Sequence, residues 1–276
     1  VQKPSPSTRA KTYKIYYWTA AILLVVGLSL LGIDTYKQKA ASRHSLKLKN
    51  EMINLYRAEE RLVTIPNAAE PVDKVEKLTD EVQPVSANPP EMGKLETILT
   101  VNKEIVGWLQ IDGTKVDYPV VQHKDNDYYL NTDVAGKRSI YGSIFMDYRL
   151  DLSQPQRNLV IYGHNMIDGS MFGSLMNYTS KDFFMKHRSI NLEISGHGGN
   201  WEIFSVYTVD ASKDTMDISY ESDKAFLDAV NLYRKKSMHQ AAIIPQKDDE
   251  ILSLVTCTND TDDIRLVVHA VKKKGP

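Results

Sequence analysis

Nineteen consecutive residues from Ile15 to Ile33, IYYWTAAILLVVGLSLLGI, carry no charge. As a helix at 1.5 Å per residue the run is roughly 28 Å long, close to the hydrocarbon thickness of a bilayer. No polar face interrupts it, so a buried helix of a soluble domain is the poorer reading. Tyr16, Tyr17 and Trp18 stand at its N-terminal edge, where amphipathic rings settle at the headgroup level. Lys3, Arg9, Lys11 and Lys14 precede it without one acidic residue. The positive-inside rule therefore puts residues 1–14 in the cytoplasm and everything after Asp34 outside. A cleaved signal peptide is the alternative, but its apolar core is usually shorter, about 7–15 residues, and no clean small-x-small site follows Ile33. Residues 15–33 thus read as an uncleaved single-pass anchor in membrane lipid. The chain begins at Val1 rather than Met, which leaves room for residues ahead of it.

Taking the four N-terminal positives from the formal net charge of −1 leaves −5 for the rest, with no polybasic patch. Nucleic acid is therefore excluded as a partner, because its binders show a basic excess. Asp34 to about Leu62 has Leu46, Leu48, Met52, Ile53 and Leu55 among Lys, Arg, Glu and Ala, as a helix leaving the membrane would. Five prolines fall between Pro66 and Pro90, which makes a spacer without a core of its own. Residues 34–90 are accordingly an extracellular stalk and spacer. Helical spacing resumes near Glu91 with Leu95, Ile98 and Leu99, opening a domain over 91–276.

That domain reads as mainly β. Short apolar runs separated by turn residues are Trp108–Ile111, Tyr118–Gln122, Ser143–Met146, Asn158–Tyr162, Trp201–Val209, Ile251–Cys257 and Ile264–Val271. Their density predicts a barrel or a sandwich. Helices are expected at Ser222–Lys236, with Ala225, Phe226, Ala229, Val230 and Tyr233 on one face, and at Ser170–Met176. No P-loop, HExxH or GxSxG motif is present.

Cys257 is the only cysteine, too few for an internal disulfide or a Cys-rich zinc site. It ends the apolar strand ILSLVTC, and after TNDTDD a second strand, IRLVVHAV, returns Arg265 toward it. One cysteine is commonly a small buried hydrophobe. A thiol beside a polar loop, with an Arg where a core residue would be apolar, also fits a nucleophile that needs a cation or base. His164 stands at a strand exit in NLVIYGHNM. His269 shares a strand face with Arg265. Spacing leaves the choice between them open, and Arg265 alone also fits a strand-edge pair with Asp262 or Asp263. Asp260, Asp262 and Asp263 lack the spacing and glycine of a calcium loop.

From about Leu95 to Val271 the chain resembles a sortase, and more closely a class B sortase. SLVTC ending at Cys257, RLVV beginning at Arg265 and NLVIYGHNM around His164 carry the resemblance. GWLQIDGTKVDYPVVQ, DNDYYL and SIFMD support it, as does a helix at Ser222–Lys236 between the late strands. The resemblance implies an eight-stranded β-barrel with added helices and a membrane-tethered cysteine transpeptidase of Gram-positive surfaces, with no cofactor and no metal. It implies Cys257 as nucleophile, His164 as acid/base and Arg265 as stabiliser of substrate or oxyanion. Asn126 and Leu130 match pocket positions, and Val255, Thr256 and Thr258 flank the thiol. Val255 stands where class B often has Ser, and Thr258 where an acidic residue is frequent, so motif recognition is expected to differ. The implied reaction cleaves a C-terminal sorting signal of a surface protein after Thr, through a thioester that a peptidoglycan-precursor or pilin amine resolves. A hydrolytic cysteine protease and a silent membrane-tethered scaffold are the competing expectations.

Overall fold

The computed structural model describes residues 6–58, 93–210, 216–257 and 264–274. The Pro-rich stretch 66–90, Glu91, Thr258 and the three aspartates of the 258–263 loop lie outside these. The chain divides into two units, Val1–Lys47 and Leu48–Pro276.

In the first unit, helix α1 (Pro6–Tyr56) begins and continues unbroken through the apolar run. It is long and apolar enough to cross a membrane, and none of its apolar window is buried by protein. Exposed leucines at 23, 24, 28, 30 and 31 need a non-aqueous surrounding. Its hydroxyls are satisfied within the helix: Ser29 Oγ donates to the Val25 carbonyl at 2.8 Å and Thr35 Oγ1 to Gly32 at 3.0 Å.

The second unit takes in the last turns of α1. Met52 and Tyr56 are buried, and the Tyr56 ring lies 4.1 Å from that of Trp108, almost parallel. Arg57 Nη2 donates to Asp117 Oδ2 at 2.9 Å, and Trp108 Nε1 donates to Asp117 Oδ1 at 2.8 Å. The sequence reading assigned this stretch to the stalk. Its apolar residues instead find cover on the barrel, as an amphipathic helix end requires.

After helix α2 (Gly93–Leu99), eight strands follow: β1 (Ile105–Ile111), β2 (Asp117–Val121), β3 (Ile144–Met146), β4 (Asn158–His164), β5 (Ser189–Ile194), β6 (Gly199–Asp210), β7 (Ile251–Cys257) and β8 (Ile264–Lys272). They close into a barrel in the order β1-β2-β3-β4-β7-β8-β6-β5. Alternation sends Leu159, Ile161, Leu252, Leu254, Val268 and Ala270 to the interior. Val160, Tyr162, Val255 and Val267 face outward, where Phe226, Val230 and Tyr233 of a covering helix join them in one apolar cluster. Strands β4 and β7 run parallel with both faces buried, which is why they read as continuous apolar runs.

Two short helices complete the description: α3 (Lys181–Lys186) and α4 (Asp223–Lys236). Ser222 caps α4 by accepting from the Ala225 amide at 3.1 Å. The helix expected at Ser170–Met176 is instead a 3₁₀ segment, Gly173–Thr179. Met171 sits at φ 50°, which breaks any helix at that point. Strand β5 was not anticipated. Its sequence, SINLEI, alternates buried and solvent-facing residues, a weak signal over six positions.

Candidate active site

Three neighbouring strands build the site. In the parallel β4–β7 ladder His164 pairs with Cys257. In the antiparallel β7–β8 ladder the pairing runs as far as Val255 with Val267, and Arg265 lies two residues beyond that last pair on β8. Residues 164 and 257 therefore share one level, and Arg265 stands at the same end of the next strand. Strand alternation puts His164 and Arg265 on the outward face, shared with Tyr162, Val255 and Val267. On its far side β8 is held by β6, with Arg265 paired to Val209.

The His164 side chain is only 3% exposed. Its Nε2 lies 2.5 Å from the Leu130 carbonyl oxygen, which can only accept, so Nε2 carries the hydrogen. Nδ1 is then the nitrogen that gains or loses a proton. Gly142 makes this approach possible: a Cβ there would lie 2.5 Å from the Tyr129 oxygen, 2.6 Å from the Leu130 oxygen and 3.1 Å from His164 Cδ2. Its φ of +56° also suits glycine. Arg265 is half-buried, and its Nε is buried without a hydrogen-bond partner among the described residues. A cysteine, a histidine and an arginine at one end of three adjacent strands are the residue types that nucleophilic acyl transfer needs.

His269 lies elsewhere. It pairs with Ser253, four residues from the level of Cys257, or about 13 Å along the strand. It is fully buried beneath the Tyr233 ring, 4.1 Å away.

The residues expected to bind substrate divide. Val255 shares the face of His164 and is buried in the outer apolar cluster. Leu130 is half-buried and contributes its carbonyl to His164. Asn126 has both ends of its amide occupied: Nδ2 donates to Asp147 Oδ2 at 3.3 Å, and Oδ1 accepts from the Tyr148 amide at 3.0 Å. Thr256 is on the inward face, with its hydroxyl accepting from the Leu266 amide at 2.8 Å, so it ties β8 to β7.

Sequence reasoning passed over a buried carboxylate. Asp147 is fully buried and accepts from Arg149 through Nε at 2.9 Å and Nη2 at 2.8 Å, and from the Tyr162 hydroxyl at 3.0 Å. Burial pushes its carboxyl upward, but the Arg149 hydrogen bonds outweigh this and hold it below the usual range. Arg149 Nη2 also donates to the Met216 carbonyl at 3.0 Å, linking the end of β3 to the segment that enters α4. The available signal was Tyr162, two residues before His164 and so on the same face.

A family profile described as Sortase domain matches residues 109–273. Sortase B of Listeria monocytogenes is 34% identical over 184 residues, covering 67% of this chain and 75% of that one. Sortase B of Staphylococcus aureus is 31% identical over 257 residues, covering 90% and 93%. The crystal structure of sortase B from Bacillus anthracis aligns at a TM-score of 0.61 with 39% identity, over 66% of this chain and 85% of that one. The S. aureus sortase B–substrate complex aligns at 0.63 with 31% identity, over 66% and 86%. With a closed eight-stranded barrel and a thiol at the end of β7, the chain belongs to the sortase family, in its class B, and is a cysteine transpeptidase.

Proposed function

We propose that Cys257 attacks the carbonyl that follows a Thr in the C-terminal sorting signal of a surface protein. The C–N bond breaks, a thioester forms on the sulfur, and His164 Nδ1 delivers a proton to the leaving amine. A cell-wall peptide or pilin amine then attacks the thioester and releases the thiol. Arg265 places its cation where the oxyanion develops, a contribution typically worth about 3 kcal/mol. The observation that carries this reading is the pairing of positions 164 and 257 on β4 and β7, with Arg265 at the same end of the adjoining β8. That a relative is described as a substrate complex supports peptide binding along the same face.

In this reading Leu130 and Val255 line the peptide pocket, Asn126 and Thr256 shape it by holding the 147–148 turn and β8, and Thr258 follows the nucleophile in sequence. Residues 1–14 face the cytoplasm, 15–33 span the membrane, 34–90 carry the enzyme outward, and 91–276 catalyse. The test uses the full chain in detergent micelles with a randomised peptide library, with and without pentaglycine or a diaminopimelate-type amine. The expected product carries the amine. Hydrolysed peptide alone would overturn transfer, and turnover by Cys257→Ala would overturn the nucleophile.

A further inference from the structure

One residue behind the Leu130 carbonyl, the Tyr129 side chain points away into the protein and is 2% exposed. Its hydroxyl donates to Glu104 Oε2 at 2.6 Å and accepts from Asn102 Nδ2 at 2.8 Å. Asn102 is itself pinned, donating to the Val134 carbonyl at 2.9 Å and accepting from the Glu104 amide at 2.9 Å. The second Glu104 oxygen meets His123 Nδ1 at 2.8 Å, and His123 stacks on Tyr128 at 4.3 Å. The connector between α2 and β1 thus grips the turn Tyr128–Leu130 by one phenol.

The other side of that turn is gripped by backbone. The Tyr129 carbonyl accepts from the Ser143 amide at 2.9 Å, beside the close approach of Gly142. Leu130 N donates to Asp127 O at 3.2 Å, and Asp125 Oδ1 accepts from the amides of Asp127 and Tyr128. With both sides fixed, the position of the Leu130 carbonyl, and through it the His164 ring, follows the position of the Tyr129 phenol.

We infer that Glu104 and Tyr129 are a positioning pair for His164, acting through the Leu130 carbonyl; this rests on the site reading proposed above. Packing alone would be met by a phenylalanine. A phenol held by a carboxylate is a charge-assisted bond, short and directional. Burial and the Glu104 carboxylate push the Tyr129 hydroxyl well above its ordinary range, so it stays a donor. Neither residue touches substrate.

The test uses the full chain and two readouts: turnover of the best-cleaved library peptide, and alkylation by iodoacetamide of Cys257, the sole cysteine. Tyr129→Phe and Glu104→Ala are expected to lower kcat roughly ten- to a hundredfold through misplacement of the imidazole. KM should stay within about twofold, since ground-state binding is untouched. Glu104→Gln should restore most of the rate, because its amide oxygen still accepts from the phenol. Tyr129→Phe should slow alkylation in the wild-type background and add nothing in His164→Ala. Unchanged kcat in Tyr129→Phe and Glu104→Ala overturns the pair, as does an equal slowing of alkylation in the His164→Ala background. If Tyr129→Phe does not fold, the half-exposed Glu104 decides through Glu104→Ala and Glu104→Gln. If His164→Ala itself leaves turnover intact, the site reading falls and the pair falls with it. Loss in His164→Ala with no effect at Tyr129 removes only the pair.

Discussion

Two histidines stand on the same outward face of the barrel, one at the end of β4 and one inside β8, with β7 between them. His164 gives its Nε2 hydrogen to a backbone carbonyl, which leaves Nδ1 as the acceptor of the neutral ring. His269 is wired the opposite way. Ser253 Oγ donates to Asn158 Oδ1 at 2.7 Å, so it can only accept from His269 Nδ1 at 2.8 Å, and Nε2 is left to accept from the Tyr207 hydroxyl at 3.0 Å. Both nitrogens of His269 are thereby used in the neutral ring. Residue type and sheet face do not separate the histidine proposed as acid/base from the sealed one. Level along the strand and the cover above it do.

The largest expected difference between the two is in turnover. His164→Ala should lower kcat by about 10²–10⁴-fold, the range of a lost general acid–base. His269→Asn should leave kcat close to wild type in the same assay. Full activity in His164→Ala with loss in His269→Asn would reverse the comparison. Next in size is Arg265, on the strand of His269 but at the end nearer His164. Arg265→Ala should cost about 10²–10³-fold in kcat, and Arg265→Lys should recover only part, because a point charge replaces a planar fork. A wild-type rate in Arg265→Ala would mean that place along the strand alone does not define the site.

The long apolar helix and most of the barrel were legible because their signals are local. Nineteen uncharged residues need no partner to be read, and strands buried on both faces show as unbroken apolar runs. The thiol at the end of ILSLVTC was legible for the same reason. Which strand lies beside it was not, since β4 and β7 pair in parallel across more than eighty intervening residues. The choice between His164 and His269 turned on that pairing, and the family resemblance supplied it. Thr256 shows the finer limit: it neighbours the thiol in sequence, yet one step of alternation turns it inward to hold β8. Asp147 and Glu104 were passed over because a carboxylate in a turn or connector reads as solvated surface until its partners are seen.

Stability should separate the two histidines a second time. His269→Ala removes a ring from a sealed site and strands Ser253 and Tyr207, at a cost of about 2–4 kcal/mol. His164, at the strand end, should cost less when truncated. Denaturant unfolding of the barrel unit within the full chain measures both. Equal losses would mean that the cover over His269 is looser than the ring stacking indicates.

The last effect is in pH, and its sign follows from burial. Desolvation, with a lesser push from Lys236, lowers His269 from 6.5 to about 3. Between those values the unfolded chain takes a proton that the native ring refuses, so the unfolded state binds more protons and stability falls as pH drops. One proton gives a slope of about 1.4 kcal/mol per pH unit. Asp147 also loses its contribution on acidification, but only below its ordinary 3.8, as pH falls through its depressed native value. The window between pH 6.5 and 4 therefore isolates His269 from that carboxylate. His269→Asn should flatten the decline of Tm across this window relative to wild type, and should leave the steeper loss below pH 4 in place. Parallel curves for the two proteins would show that His269 gains a proton in the native state, and the neutral wiring through Ser253 and Tyr207 would have to be abandoned.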